Sequence, residues 1–390
     1  MNKKLLTAGV LALSLCGFAS AQTRDTATQT RNIEEVVVVA YGRQKKETVV
    51  GSNVQITSKK FESRPLTNVA NAVEGSAPGI QVVAGSGQPG ASPAIRIRGF
   101  SSINASNSPL YVVDGVIFNG SIASINPNDI EAVNILKDAA STSLYGSSAA
   151  NGVVLITTKK GRKGRDVINF TANTAVSFRG IPEYSRVGAE DYYLLVWESL
   201  RNGYLYGTAN ATVQQANDYA SSNLITTLRS NIYKGVADNS IVVNGVVTDA
   251  QQIHNDYDWQ KDLFKSGLRQ QYDLNYSGGT EKTNYYASIG YLNEVGYLIK
   301  SDYERFSGRL NADSQFRPWL KVGVNIYAAN STGNNAVDGA ANNSSLINPY
   351  YFSRRMAPIY SPYLHNPDGS ILRDATGQPV YDYNQFGTTP

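Results

Sequence analysis

Residue types that carry acid–base, nucleophilic or metal chemistry are thinly spread in this chain. The two histidines, His254 and His365, sit in unrelated loops, and no HExxH, nucleophile triad or paired-carboxylate pattern surrounds them. Asp256 and Asp258 beside His254 offer oxygen ligands, but scattered loop carboxylates lack the spacing of a metal site. Gly85, Gly87 and Gly90 spell G-x-G-x-x-G after a β-run, the outline of a dinucleotide fingerprint. That fingerprint needs its last glycine to open a helix, whereas here Pro89 interrupts it and ASPAIRIRGF follows as another strand, so a tight turn is expected. No catalytic residue, metal or cofactor is expected, and the reading is of a non-enzyme.

What remains is recognition chemistry. Tyrosine is abundant, 25 against 11 Phe and 3 Trp. Aromatics with a polar tip suit either a membrane girdle or a sugar-binding surface, as well as ordinary loop packing. Arg96 and Arg98 alternate with Ile95 and Ile97, which puts both guanidinium groups on one face of a strand. Lys159, Lys160, Arg162, Lys163 and Arg165 form a basic run without interleaved aromatics, read as a solvated linker. A net charge of +4 over 390 residues is too weak to suggest nucleic acid.

The elements that position these groups fall into four stretches. Residues 1–21 carry a basic start, an apolar core and the small-residue site Ala19-Ser20-Ala21, the pattern of a cleaved signal peptide. Lipidation at Cys16 is disfavoured by the bulky Leu15, and removal of the leader leaves no cysteine. No later run approaches the roughly 20 apolar residues of a spanning helix, so any membrane crossing must use a barrel.

Residues 22–43 read as a disordered tether ending in EEVVVVAYG. Four successive valines make a strand too short for a domain, available for β-augmentation by a partner. Residues 44–164 read as a compact α+β unit, with short β-runs and two helical patches, LTNVANAVEG and NDIEAVNILKDAASTSLYG. Past residue 165 the pattern turns to period-2 alternation in five strands, for example Phe306, Gly308 and Leu310 against Arg305, Ser307 and Arg309. Short joints (GGTEKT, RPW) alternate with long loops, the habit of bacterial outer-membrane barrels. The first long loop holds AEDYYLLVWESLRNG, expected as a short helix outside the membrane.

The series AIRIRGF, PLYVVDGV and ILKDAASTSLYGSSAANGVVLITTKKG resembles the plug of a TonB-dependent outer-membrane transporter, closest in wording to the SusC/RagA-like branch. DWQKDLF, YSGGTEKTNYYASIGYLNEVGYL and WLKVGVN resemble the first strands of its barrel. The resemblance implies an α+β plug domain followed by the first strands of a transmembrane antiparallel β-barrel, the partial barrel occupying residues 165–390. It makes Glu35, Val36, Val37, Val38, Val39, Ala40, Tyr41 and Gly42 a TonB box, with Ala40 where the family more often has Gly.

By the same resemblance Arg96 and Arg98 pair with barrel carboxylates, and Ser86, Gln88, Asn119 and Ser121 lie on plug loops facing substrate. The implied partners are the TonB inner-membrane complex, a SusD-like surface lipoprotein, outer-membrane lipid and a glycan or peptide substrate. The implied activity is energised import; the alternatives are a passive pore or surface adhesin and, less favoured, a secreted enzyme. Plugged transporters of this kind use about 22 strands, so residues 1–390 are expected to be a fragment.

Overall fold

A computed structural model describes residues 36–39, 42–45, 53–58, 66–76, 78–83, 87–104, 106–138, 142–164, 166–254, 256–335 and 348–383. The chain divides into two compact units, Met1–Val50 and Gly51–Pro390. In the first, β1 (Val36–Val39) pairs antiparallel with β2 (Gly42–Lys45), Val36 opposite Lys45 and Val39 opposite Gly42. The valine run is therefore a strand, and its partner is the chain that follows it. Glu35, Ala40 and Tyr41 lie outside the described residues.

The second unit opens with a plug. Its sheet has the order β3 (Asn53–Thr57), β8 (Ile130–Leu136), β9 (Val153–Thr158), β6 (Leu110–Val113) and β7 (Val116–Ile117). Within it β6 and β9 run parallel, and the other pairs are antiparallel. A separate hairpin joins β4 (Ile80–Val83) to β5 (Ala94–Ile97), and the short helix α1 (Val69–Val73) is capped by the Asn68 side chain. Val69, Val73, Ile95, Ile130, Val133, Ile135, Val154 and Ile156 close one buried core.

One expectation fails here. The stretch IEAVNIL is a strand and not a helical patch, because β8 is paired on both sides, by β3 and by β9. Its β-branched Ile130, Val133 and Ile135 suit a strand buried on both faces. A D-G turn, Asp114 (φ 49°) and Gly115 (φ 89°), joins β6 to β7 with the positive-φ pair that a two-residue hairpin needs.

The wall is an antiparallel sheet in sequence order, β10 (Val167–Ser177), β13 (Gly267–Gly279), β14 (Thr283–Val295), β15 (Asp302–Arg317) and β16 (Leu320–Asn334). β10 runs 11 residues and the other four 13–16, enough to cross a bilayer, which takes roughly 9–11. The register lines up Phe170, Leu274 and Ile289 in one row and Ile168, Tyr276, Ala287, Leu310 and Ile326 in another. Ile168 and Phe170 are 70% and 66% exposed, and Ile289, Val324 and Ile326 are exposed with them. On the opposite face Gln271, Asp273, Ser288, Arg305, Ser307, Arg309 and Asn311 are buried. Apolar residues outside and polar residues inside reverse the ordering of a water-soluble sheet and match that of a membrane barrel.

The long connection between β10 and β13 folds into a lobe. Helices α2 (Ala189–Gly207) and α3 (Val213–Leu228) pack with the hairpin β11 (Val242–Val243) and β12 (Val246–Val247) around Tyr193, Trp197, Leu224, Leu228 and Ile241. The expected helix is thus present and longer than the motif. The second helix is an addition to the sequence reading, although Thr212 and Gln215 form a capping box at its start. Two short helices, α4 (Trp259–Leu263) and α5 (Pro349–Arg355), brace the lobe beside Ala357 and Ile359. No described helix is long and apolar enough to cross a membrane, which says nothing of strands.

Candidate functional site

The candidate site is the buried polar seam where the plug meets the inner face of the wall. It begins with plug backbone. The 3-10 turn Ile122–Ser124 turns the carbonyls of Ala123, Ser124 and Ile125 toward the wall. Arg305 of β15 donates Nη1 to Ala123 O at 2.7 Å, to Ile125 O at 3.1 Å and to Thr67 O at 3.3 Å. The hydroxyl of Tyr303 donates to Ala123 O at 3.1 Å, and that of Tyr327 to Ser124 O. The 2% exposed arginine thus aims Nη1 at three plug carbonyls.

The next four residues carry side-chain recognition. Asn126 and Asn128 each donate Nδ2 to one oxygen of Asp273 on β13, both at 2.6 Å, while Gln271 donates Nε2 to the same carboxylate at 2.8 Å. Gly290 of β14 makes the room: a Cβ there would lie 2.4 Å from Asn126 Nδ2 and 2.7 Å from Asp273 Oδ1. A reciprocal fit lies on the plug at Gly90 (φ 73°), where a Cβ would fall 2.2 Å from the Tyr303 ring. The last glycine of the false dinucleotide fingerprint therefore seats a wall aromatic.

Asp129 ends this segment. Tyr286 of β14 donates its hydroxyl to Asp129 Oδ1 at 2.9 Å. Arg309 of β15 places Nε 3.8 Å from Asp129 Oδ2 and Nη1 3.4 Å from Asp114 Oδ2, with its guanidinium over the Tyr327 ring at 4.6 Å. Asp114 also accepts from the Thr158 amide at 2.9 Å and hydroxyl at 2.6 Å. Burial raises the pKa of Asp129 above the ordinary aspartate value, an effect that Arg309 opposes and Asp273 reinforces.

At the short-turn end, Asn311 donates Nδ2 to Thr158 Oγ1 at 2.9 Å and to Lys159 O at 2.8 Å, and Lys160 pairs with Asp313 at 3.3 Å. Gly161 packs directly on wall backbone, where a Cβ would fall 2.2 Å from Gly278 O.

Arg96 and Arg98 make their described contacts within the plug. Arg98 lies past the end of β5 in the left-handed region (φ 62°), off the face it was expected to share with Arg96, and pairs with Asp138 of the plug. Arg96 stacks over Phe100, also of the plug, at 4.1 Å. The arginines facing across the seam belong to the wall, and the carboxylates Asp114 and Asp129 to the plug. Arg305, Arg309 and Asp273 are legible in sequence as charges on the inward face of alternating strands. Asp129 is hidden there, within a segment that reads as helix.

Of the proposed substrate-loop residues, Gln88 is half-buried and Asn119 and Ser121 are exposed, while Ser86 lies outside the described residues. The linker lysines 159 and 160 are half-buried against the wall, whereas Arg162 and Lys163 are exposed. The histidines are not in unrelated places: the rings of His254 and His365 approach to 4.7 Å. Burial lowers the pKa of His365, and His254 adds to the shift. Asp256 and Asp258 serve as helix caps, accepting from the amides of Ala189 and Gln260. Among the described residues no group of three or more His, Cys, Asp or Glu is placed to hold a metal.

A wall of antiparallel strands, apolar outside and polar inside, clasping an α+β plug defines the plug and part of the barrel of a plugged β-barrel protein. Residues 45–153 match the TonB-dependent Receptor Plug Domain. The chain is 31% identical over 342 residues to TonB-dependent receptor SusC of Bacteroides thetaiotaomicron, covering 85% of this chain and 29% of that protein. It is 30% identical over 372 residues to a TonB-dependent receptor of Formosa agariphila, covering 93% of this chain and 33% of that one. A solved structure of the RagAB peptide importer in its open-open state superposes with a TM-score of 0.65 at 31% identity, over 90% of this chain and 38% of that chain. The chain therefore spans about a third of the length of these relatives. It belongs to the SusC/RagA-like family of TonB-dependent receptors.

Proposed function

We propose that the protein serves the energised import of a large nutrient, a glycan or a peptide, across the bacterial outer membrane. The observation that carries this reading is the wall's polarity: apolar side chains face outward while charged ones hold a plug. Such a sheet belongs in lipid around a gated passage, and the importer among its structural neighbours is of the same build. Exposed Asn119 and Ser121, with Gln88, are the plug residues assigned to first contact with substrate.

Energy enters through Glu35, Val36, Val37, Val38, Val39, Ala40, Tyr41 and Gly42, to which a TonB-type complex adds a strand. A SusD-like surface lipoprotein is the proposed outer partner, and Arg96 and Arg98 are reassigned to bracing the plug itself.

The test is Val38→Pro in the whole receptor. It removes an N–H and restricts φ within the strand, so uptake of labelled glycans and peptides should be lost while surface binding is kept. Unchanged uptake would remove the tether from the mechanism. Uptake that survives collapse of the proton gradient would favour a passive pore.

A further inference from the structure

We propose that Asn134 is a built-in weak point that sets how readily β3 separates from the rest of the plug. Asn134 lies at the middle of β8, opposite Gln55 of β3 on one side and Leu155 of β9 on the other. It is 0% exposed, and neither its Nδ2 nor its Oδ1 has a hydrogen-bond partner. Its chain neighbours Val133 and Ile135 are wholly buried apolar residues. A buried amide without partners forfeits the hydration it had in the unfolded chain and recovers nothing in return. Native proteins carry few such groups, and each calls for a physical explanation.

The topology supplies one. β3 is an edge strand, held in its sheet by β8 alone among the described residues. It is also the first strand of the second unit, following the tether in sequence. It can therefore leave without breaking any other ladder. The register fixes how a pull would load it: Asn53 faces Leu136 and Thr57 faces Ala132. Beyond Ala132 comes Asp129, fastened to the wall by Tyr286 and Arg309. A force entering at Asn53 and resisted at Asp129 acts on opposite ends of the pair, so all five rungs are sheared at once. A pair loaded in shear resists unless it is weakened within, and Asn134 sits at its central rung. Val54 and Ile56 are the apolar residues that β3 adds to the core.

The functional side of this proposal rests on the import reading, but the weak point itself is testable with no substrate and no energy source. Native-state hydrogen exchange on the whole receptor in detergent is the measurement. Asn134→Val should slow exchange of the residue 53–57 amides by about tenfold or more, the worth of one unsatisfied buried group, and leave β6 protection unchanged. Equal slowing in β3 and β6 would make Asn134 a global stability residue and overturn the proposal. Asn134→Ala, which cannot overfill the site, should keep β3 exchange within about threefold of wild type. A loss of protection beyond about tenfold in that variant would show that the amide stabilises the fold, and would also overturn it.

Discussion

Asp129 and Arg309 are one buried pair among the several ties between plug and wall, and acidity bears on it. Both are almost wholly buried and Arg309 also faces Asp114, so removing the arginine leaves two buried plug carboxylates without their cation. Arg309→Ala should weaken plug seating by about 3–5 kcal/mol near neutral pH, read as loss of protection of the plug amides. Burial raises the Asp129 pKa, so the folded state binds its proton more tightly than the unfolded chain does. The sign follows from linkage: this group's contribution to stability is fully present below the ordinary aspartate value of 3.8 and is lost as pH rises through the raised folded value. Asp129→Asn should flatten that dependence in a pH series of plug unfolding. An unchanged profile would show that Asp129 does not titrate in this range.

Among the elements, the wall strands are the most legible in sequence, because a two-sided environment writes period-2 alternation directly into the chain. Phe306, Leu310 and Ile326 against Arg305, Arg309 and Asn325 need no tertiary information. β8 reads wrongly because a strand buried on both faces has no such alternation, and IEAVNIL suits helix and strand alike. The seam is half legible. Inward charges on β13 and β15 can be seen, whereas the carbonyls that Arg305 seeks belong to backbone and leave no trace in residue type. Val324→Arg should cost roughly 2–4 kcal/mol near the bilayer midplane, and Asn325→Arg on the inward face should cost little. A membrane-folding titration compares the two, and equal losses would contradict the observed facing.

At the scale of the whole molecule, the wall is an open sheet. β10 and β16 each have one side with no partner strand among the described residues. In hydrocarbon each unpaired backbone group costs several kcal/mol, and a row of them outweighs a domain stability of about 5–15 kcal/mol. Residues 1–390 expressed by themselves should give no heat-modifiable band in the outer-membrane fraction. A stable heat-modifiable product would mean that both edges are covered, by copies of this chain or by other strands.

Two of the glycines at the seam have a geometric consequence. Gly90 is a notch on the plug for a wall aromatic, and Gly290 a notch on the wall for a plug amide. Notches on both bodies, each filled by the other, index rotation as well as depth. Turning the plug about the barrel axis would drive Tyr303 and Asn126 against surfaces without a recess. The plug therefore seats at one azimuth, and after any displacement it must come back to that same angular setting before Arg305 can find its carbonyls again.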